Sequence, residues 1–131
     1  MNSEETFIKS EESYFFDSYA FFEILKANKN YTKYTEVEII TTKLNLFELY
    51  LGTVREKSET EAREVLDLYY QFAVDFDKKT IEEAAKLKNQ LNKRDVSMTD
   101  CIGYTMAKQL GIKFLTGDKE FENLENVEFV K

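Results

Sequence analysis

Residues 97–121 read SMTDCIGYTMAKQLGIKFLTGDKEF, and the order of elements within this one stretch sets the fold class. Ser97 and Asp100 spell a capping box, in which the serine takes an orphan amide of the first helical turn and the acid reaches back. The spacing predicts a helix to about Leu110, closed by Gly111, the favoured residue just past a helix end. IKFLT then reads as a short buried strand that stops at Gly117, with Asp118 directly after it. A helix that feeds such a strand is the repeating unit of a parallel sheet covered on both faces.

Upstream the same alternation recurs. SYFFD, 13–17, is a short aromatic run of the kind a fully buried strand shows. From Ser18 the period changes, and Phe21, Ile24, Leu25 and Asn28 fall on one helical stripe. In EVEIITTKLNLFELYLGTVRE, 36–56, a β-branched stretch around Ile39, Ile40 and Thr41 leads into a helix expected to bury Leu44, Phe47, Leu51 and Val54. ETEAREVLDLYYQF, 59–72, repeats apolar residues at Ala62, Val65, Leu66, Tyr69 and Phe72 and reads as another helix. AVDF, 73–76, is a candidate strand. TIEEAAKLKNQL, 80–91, is a helix by propensity, with the row Ile81, Ala84, Leu87 and Leu91. VEFV, 127–130, is a last strand. The fold class is therefore α/β with a central parallel sheet.

With 131 residues and 43% hydrophobic content, the chain suits one core and is short for two domains. One domain is expected over 13–131, with residues 1–12, charged and weakly patterned, as a flexible or edge segment. The lone cysteine, Cys101, excludes an internal disulfide, and the acidic N-terminus lacks the basic and apolar regions of a signal peptide, so a cytoplasmic location is the default. No run approaches the roughly 18 apolar residues of a membrane span. A net charge of −7 argues against broad electrostatic capture of nucleic acid. Any activity on nucleic acid must use a local basic patch or a bound metal.

In an open parallel sheet, ligands collect beyond the carboxyl ends of the strands. Asp17 follows the first strand, and Asp118 follows IKFLT across one glycine. Asp100, in the first turn of the preceding helix, and Glu48, about one turn into the helix from Thr42, are two further acids for that edge. Each also has a plain reading: Asp17 as a helix cap, Asp100 as a member of the capping box, Glu48 as a solvated helix residue, Asp118 as a turn residue. Brought together they would repel, since one like-charged pair at about 4 Å costs on the order of 4 kcal/mol at an effective dielectric near 20. A cation resolves that conflict. Oxygen donors in a chain without histidine point to Mg2+ or Mn2+ and away from zinc.

The windows FFDSYAFFEIL, TTKLNLFELYLG and the opening stretch resemble the acidic blocks of PIN domains, especially the toxins of prokaryotic VapBC toxin-antitoxin modules. The likeness runs from about Tyr14 to Val130. It implies a three-layer α/β/α fold and divalent-metal-dependent cleavage of RNA phosphodiester bonds. Asp17, Glu48, Asp100 and Asp118 match the family's four acids, as catalytic and metal-binding residues. Ser18 and Thr116 match supporting hydroxyls, and Glu120 falls where many members carry a further acid, here not counted as a ligand. The resemblance also implies a homodimer and an antitoxin protein whose segment, often with a basic side chain, enters the acidic groove. Candidate phosphate contacts are Lys43, Arg55, Arg94 and Lys119.

Other readings fit less well. A haloacid-dehalogenase-like phosphatase needs an acid two places after its first aspartate, and that position is Tyr19. A response-regulator receiver domain wants a lysine after its last strand, where this chain has an acid. The main alternative to a nuclease is a non-catalytic PIN-like module that binds a metal or a protein.

Overall fold

The structure, a computed structural model, describes residues 12–131. The expectation for the N-terminal segment thus falls, Glu12 apart, outside the described residues. Chain order is β1 (Ser13–Phe16), α1 (Ser18–Leu25), a 3-10 segment (Lys29–Glu36), β2 (Glu38–Ile40), α2 (Lys43–Glu56), α3 (Glu59–Tyr69), and a 3-10 turn (Tyr70–Phe72). It continues with α4 (Lys78–Gln90), α5 (Met98–Leu110), β3 (Lys113–Thr116), a 3-10 turn (Lys119–Phe121) and β4 (Val127–Phe129). The four strands form one parallel sheet in the order β2-β1-β3-β4.

Alternation along β1 assigns the two faces. Tyr14 and Phe16 join Leu115 of β3 in a core with Phe21 of α1, Leu46 and Leu49 of α2 and Tyr69 of α3. Phe15 and Phe114 point the other way, into a core with Ala84 of α4 and Ile102, Met106 and Ala107 of α5. The two phenylalanines stack, with ring centroids 5.8 Å apart. Helices therefore cover both faces, which gives three layers α/β/α.

Several expectations change in detail. Leu44, Phe47, Leu51 and Val54 were expected to be the buried stripe of α2, but the helix buries Asn45, Leu46, Leu49 and Thr53, and Phe47 is 67% exposed. α2 is apolar on several sides, so periodicity alone does not choose the inward one. Its buried polar residues find local partners instead: the Asn45 carbonyl oxygen Oδ1 takes the Thr42 hydroxyl, and Thr53 donates to the Leu49 carbonyl. Leu25 and Ile81 also face outward, because Ala20 and Phe21, and in α4 Thr80 and Ala84, provide the contacts. AVDF is not a strand. Only Ala73 bridges, in parallel, to Thr41, and Val74 N–H donates to the Thr41 carbonyl at 2.9 Å.

Among the described residues no helix is long and apolar enough to cross a membrane.

Candidate functional site

β1 and β3 are neighbours in register, Phe16 opposite Leu115. Sheet geometry therefore sets Asp17, the residue after β1, beside Thr116, the last of β3; the Asp17 N–H donates to the Leu115 carbonyl at 3.4 Å. The edge lies where the connections diverge to opposite sides of the sheet, the usual place for a ligand in this architecture.

Asp17 is 2% exposed. Its Oδ1 accepts the Ala20 N–H at 2.8 Å and so caps α1. The plain reading of this acid is thus correct as far as it goes, and yet a cap is normally solvated. Burial pushes the Asp17 carboxyl up to about 8; the Thr116 hydroxyl and the Ala20 amide pull it down, and the negative charges of Asp100 and Asp118 add to the rise. Thr116 is fully buried, and its Oγ1 also accepts the Asp118 N–H at 3.0 Å. One hydroxyl thereby bears on both acids, favouring the ionised form of the first and accepting from the backbone of the second.

Asp118 caps the 3-10 turn through a 3.0 Å bond from the Glu120 N–H to its Oδ1, and Phe121 folds back into the core. Gly117 owes its place to crowding and not to an unusual turn, since only Gly111 among the glycines has positive φ. A Cβ on Gly117 would stand 2.4 Å from the Tyr19 ring and 2.4 Å from the Val130 carbonyl oxygen.

The helix acids are held in the same manner. Asp100 completes the capping box: Ser97 N–H donates to its Oδ2 and its own N–H donates to Ser97 Oγ, both at 3.0 Å. Burial raises the Asp100 carboxyl against the pull of the Ser97 bonds, and the charges of Glu48 and Asp118 raise it further. Glu48, half-buried on α2, accepts the Ser18 hydroxyl at 2.5 Å. The charges thus overlap in one neighbourhood, Asp17 with Asp100 and Asp118, and Asp100 with Glu48 and Asp118.

The donor chemistry fits a hard divalent cation: carboxylate oxygens alone, one of them buried and unpaired by any Lys or Arg among the described residues. They are not closed around a point. Among the described residues no three His, Cys, Asp or Glu side chains are grouped closely enough to enclose an ion as they stand. Each of the four has one oxygen that accepts a hydrogen bond, three from a backbone N–H within three residues and Glu48 from the Ser18 hydroxyl on α1.

Of the basic candidates, Lys119 is exposed directly after Asp118, and Arg94 donates to the Glu120 carbonyl at 2.6 Å, fastening the loop before α5 to the turn after β3. Glu120 itself accepts the Asp95 N–H and acts as a brace. Lys43 lies 5.8 Å from the Tyr70 ring centre. Arg55 is seven residues beyond Glu48, about 10 Å along the helix at 1.5 Å per residue. Two residues at this edge escaped the sequence reading. Tyr19 packs its ring on Gly117, and Asn45 lies buried beside Ser18; the only signals were their spacings, two after Asp17 and three before Glu48.

The chain is similar in fold to several solved structures. It superposes on VapC20 of Mycobacterium tuberculosis, a toxin that cleaves the sarcin-ricin loop, with TM-score 0.73 at 16% identity over 90% of this chain and 99% of that one. It matches a chain of VapBC2 from Rickettsia felis, bound to a promoter DNA fragment, at 0.69 and 18% over 91% and 99%. It matches a chain of FitAcB from Neisseria gonorrhoeae at 0.68 and 17% over 88% and 96%. No curated protein matches it significantly in sequence. The family model of the PIN domain matches residues 14–127. By that match, spanning β1 to the start of β4, the chain belongs to the PIN domain family.

Proposed function

We propose that this chain is a divalent-metal-dependent ribonuclease that hydrolyses RNA phosphodiester bonds at the edge formed by Asp17, Glu48, Asp100 and Asp118, with Mg2+ or Mn2+ as cofactor. The observation that carries the reading is the buried Asp17 carboxyl, poised near neutrality between the charges of Asp100 and Asp118. Membership of the PIN family and likeness in fold to toxin structures support it.

A divalent cation at this edge would supply a water of lowered pKa and neutralise charge on the phosphate. Asp17 and Asp100 would hold it from two sides, Glu48 would reach it from α2 with Ser18 as its rein, and Asp118 would ligate it or orient the attacking water. Thr116 would favour the ionised form of Asp17 against the effect of burial. Lys119, exposed and next to Asp118, would meet a phosphate there. The chain has little else for nucleophilic work: it has no histidine, and Cys101 is buried with its thiol pushed up by burial.

A homodimer in the cytoplasm and an antitoxin partner belong to the same proposal. Several fold neighbours are toxin-antitoxin complexes, and an acidic edge on a chain of net charge −7 suits a partner segment with a basic side chain. A second reading, a non-catalytic PIN-like module that binds a metal or a protein, is favoured by the acids standing too far apart to enclose an ion unaided. Incubating chelator-treated protein with RNA, with and without Mn2+, separates the two. Cleavage is expected only with Mn2+ and only above an Asp17→Asn control. Equal traces with and without metal would favour the module.

A further inference from the structure

Asn45 stands at the third position of α2 and is 1% exposed. Its Oδ1 takes the Thr42 hydroxyl at 2.6 Å, and its backbone N–H donates to Thr42 Oγ1 at 3.2 Å. Its Nδ2 has no partner, and it is the one buried side-chain nitrogen or oxygen so left among the described residues. Reversing the carboxamide only moves the fault, since Nδ2 would then meet Thr42 Oγ1 and Oδ1 would be stranded. A buried donor without an acceptor is costly, and natural folds keep few of them without a reason.

Its position suggests the reason. The Ser18 hydroxyl that donates to Glu48 lies 3.5 Å from the Asn45 backbone carbonyl oxygen. Glu48 is three residues further on α2, so the two side chains are neighbours on the helix surface. Asn45 therefore stands where the first turns of α1 and α2 meet, its backbone beside the pair that brings one carboxylate to the acidic edge. An amide N–H cannot ligate a cation. It needs an oxygen lone pair, and the acids are the part of the fold best suited to attract a cation that carries oxygens with it.

We propose that Asn45 is a positioning residue of the acidic site, its Nδ2 held for an oxygen that arrives with a hydrated divalent cation. By accepting that contact the carboxamide would fix the Ser18–Glu48 pair in the cation-bound arrangement. The inference rests on the cation-site reading above.

The test uses the full chain stripped of metal. Mn2+ is titrated calorimetrically into wild type and Asn45→Leu, and urea unfolding of both is followed in chelator. Leucine keeps the bulk but withdraws Oδ1 from the buried Thr42 hydroxyl, so some loss of stability without metal is expected whatever role Asn45 plays. The affinity decides: the dissociation constant of the variant for Mn2+ is expected to rise about ten-fold, the scale of one lost hydrogen bond. A purely structural role would lower the unfolding midpoint and leave the affinity alone, and would overturn the proposal. Wild type that fails to bind Mn2+ would remove the cation site itself, and the proposal with it. Should the variant not fold, the Asn45 side-chain NH2 signals of wild type decide the matter by NMR. Mg2+ is expected to shift them and slow their exchange with water, and signals that do not move would overturn the assignment.

Discussion

Asp17 does two jobs whose demands conflict. As a cap of α1 it belongs at the first turn, and as the residue after a central strand it is buried to 2% exposure. In the folded chain its carboxyl titrates at about 8, against 3.8 for the free group. Between those values the native state holds a proton that the unfolded state has released, so stability falls as pH rises. Thermal melts of chelator-treated protein should therefore show a midpoint that declines from about pH 4 to about pH 8. Asp17→Asn should flatten that slope, and Mn2+ should restore stability at the upper end. An unchanged slope in the variant would place the titration elsewhere. The position of Asp17 was legible in the sequence because a strand, an acid and a helix start lie within a few residues. Asn45 was not legible, since T-x-x-N at a helix start looks like ordinary capping and its burial comes from α1, far away in sequence.

At the scale of elements, the segments read best were those set by their near neighbours. The capping box at Ser97 and Asp100, the left-handed stop at Gly111 and the strand 113–116 are each settled within four residues. The inward faces of α2 and α4 are settled by what packs on them, and there Phe47 and Ile81 were misread. The exit from β3 shows the same contrast. Gly117 was legible as the end of the strand, but what demands a glycine there is the close approach of Tyr19 and the Val130 backbone, neither of them a near neighbour in sequence. Gly117→Ala would force a Cβ against a carbonyl oxygen that cannot swing aside. A loss of about 1–3 kcal/mol in urea unfolding is expected, the usual cost of overpacking. No loss would mean the turn is looser than drawn.

For the whole molecule, the parallel sheet and its two cores were legible from alternation of strands and helices, and the family match covers the same span. Surface association was not, because an apolar residue in a helical row looks the same whether it meets its own core or another chain. Phe47, 67% exposed on α2, is the most exposed large hydrophobic among the described residues, and Lys43, one turn earlier on the helix, lies 5.8 Å from the ring centre of the exposed Tyr70. If the proposed homodimer uses this face, light scattering at micromolar concentration should give a dimer for wild type and a monomer for Phe47→Ser, with the melting midpoint little changed. A wild-type monomer would remove the dimer.

The proposed function rests on four separated segments sharing one carboxylate site for divalent metal. Calorimetric titration of Mn2+ into chelator-treated wild type, Asp17→Asn, Glu48→Gln, Asp100→Asn and Asp118→Asn measures that directly. Saturable binding by wild type, weakened in every variant, is expected. Wild-type affinity retained in all four, or no binding by wild type, would contradict a shared carboxylate site.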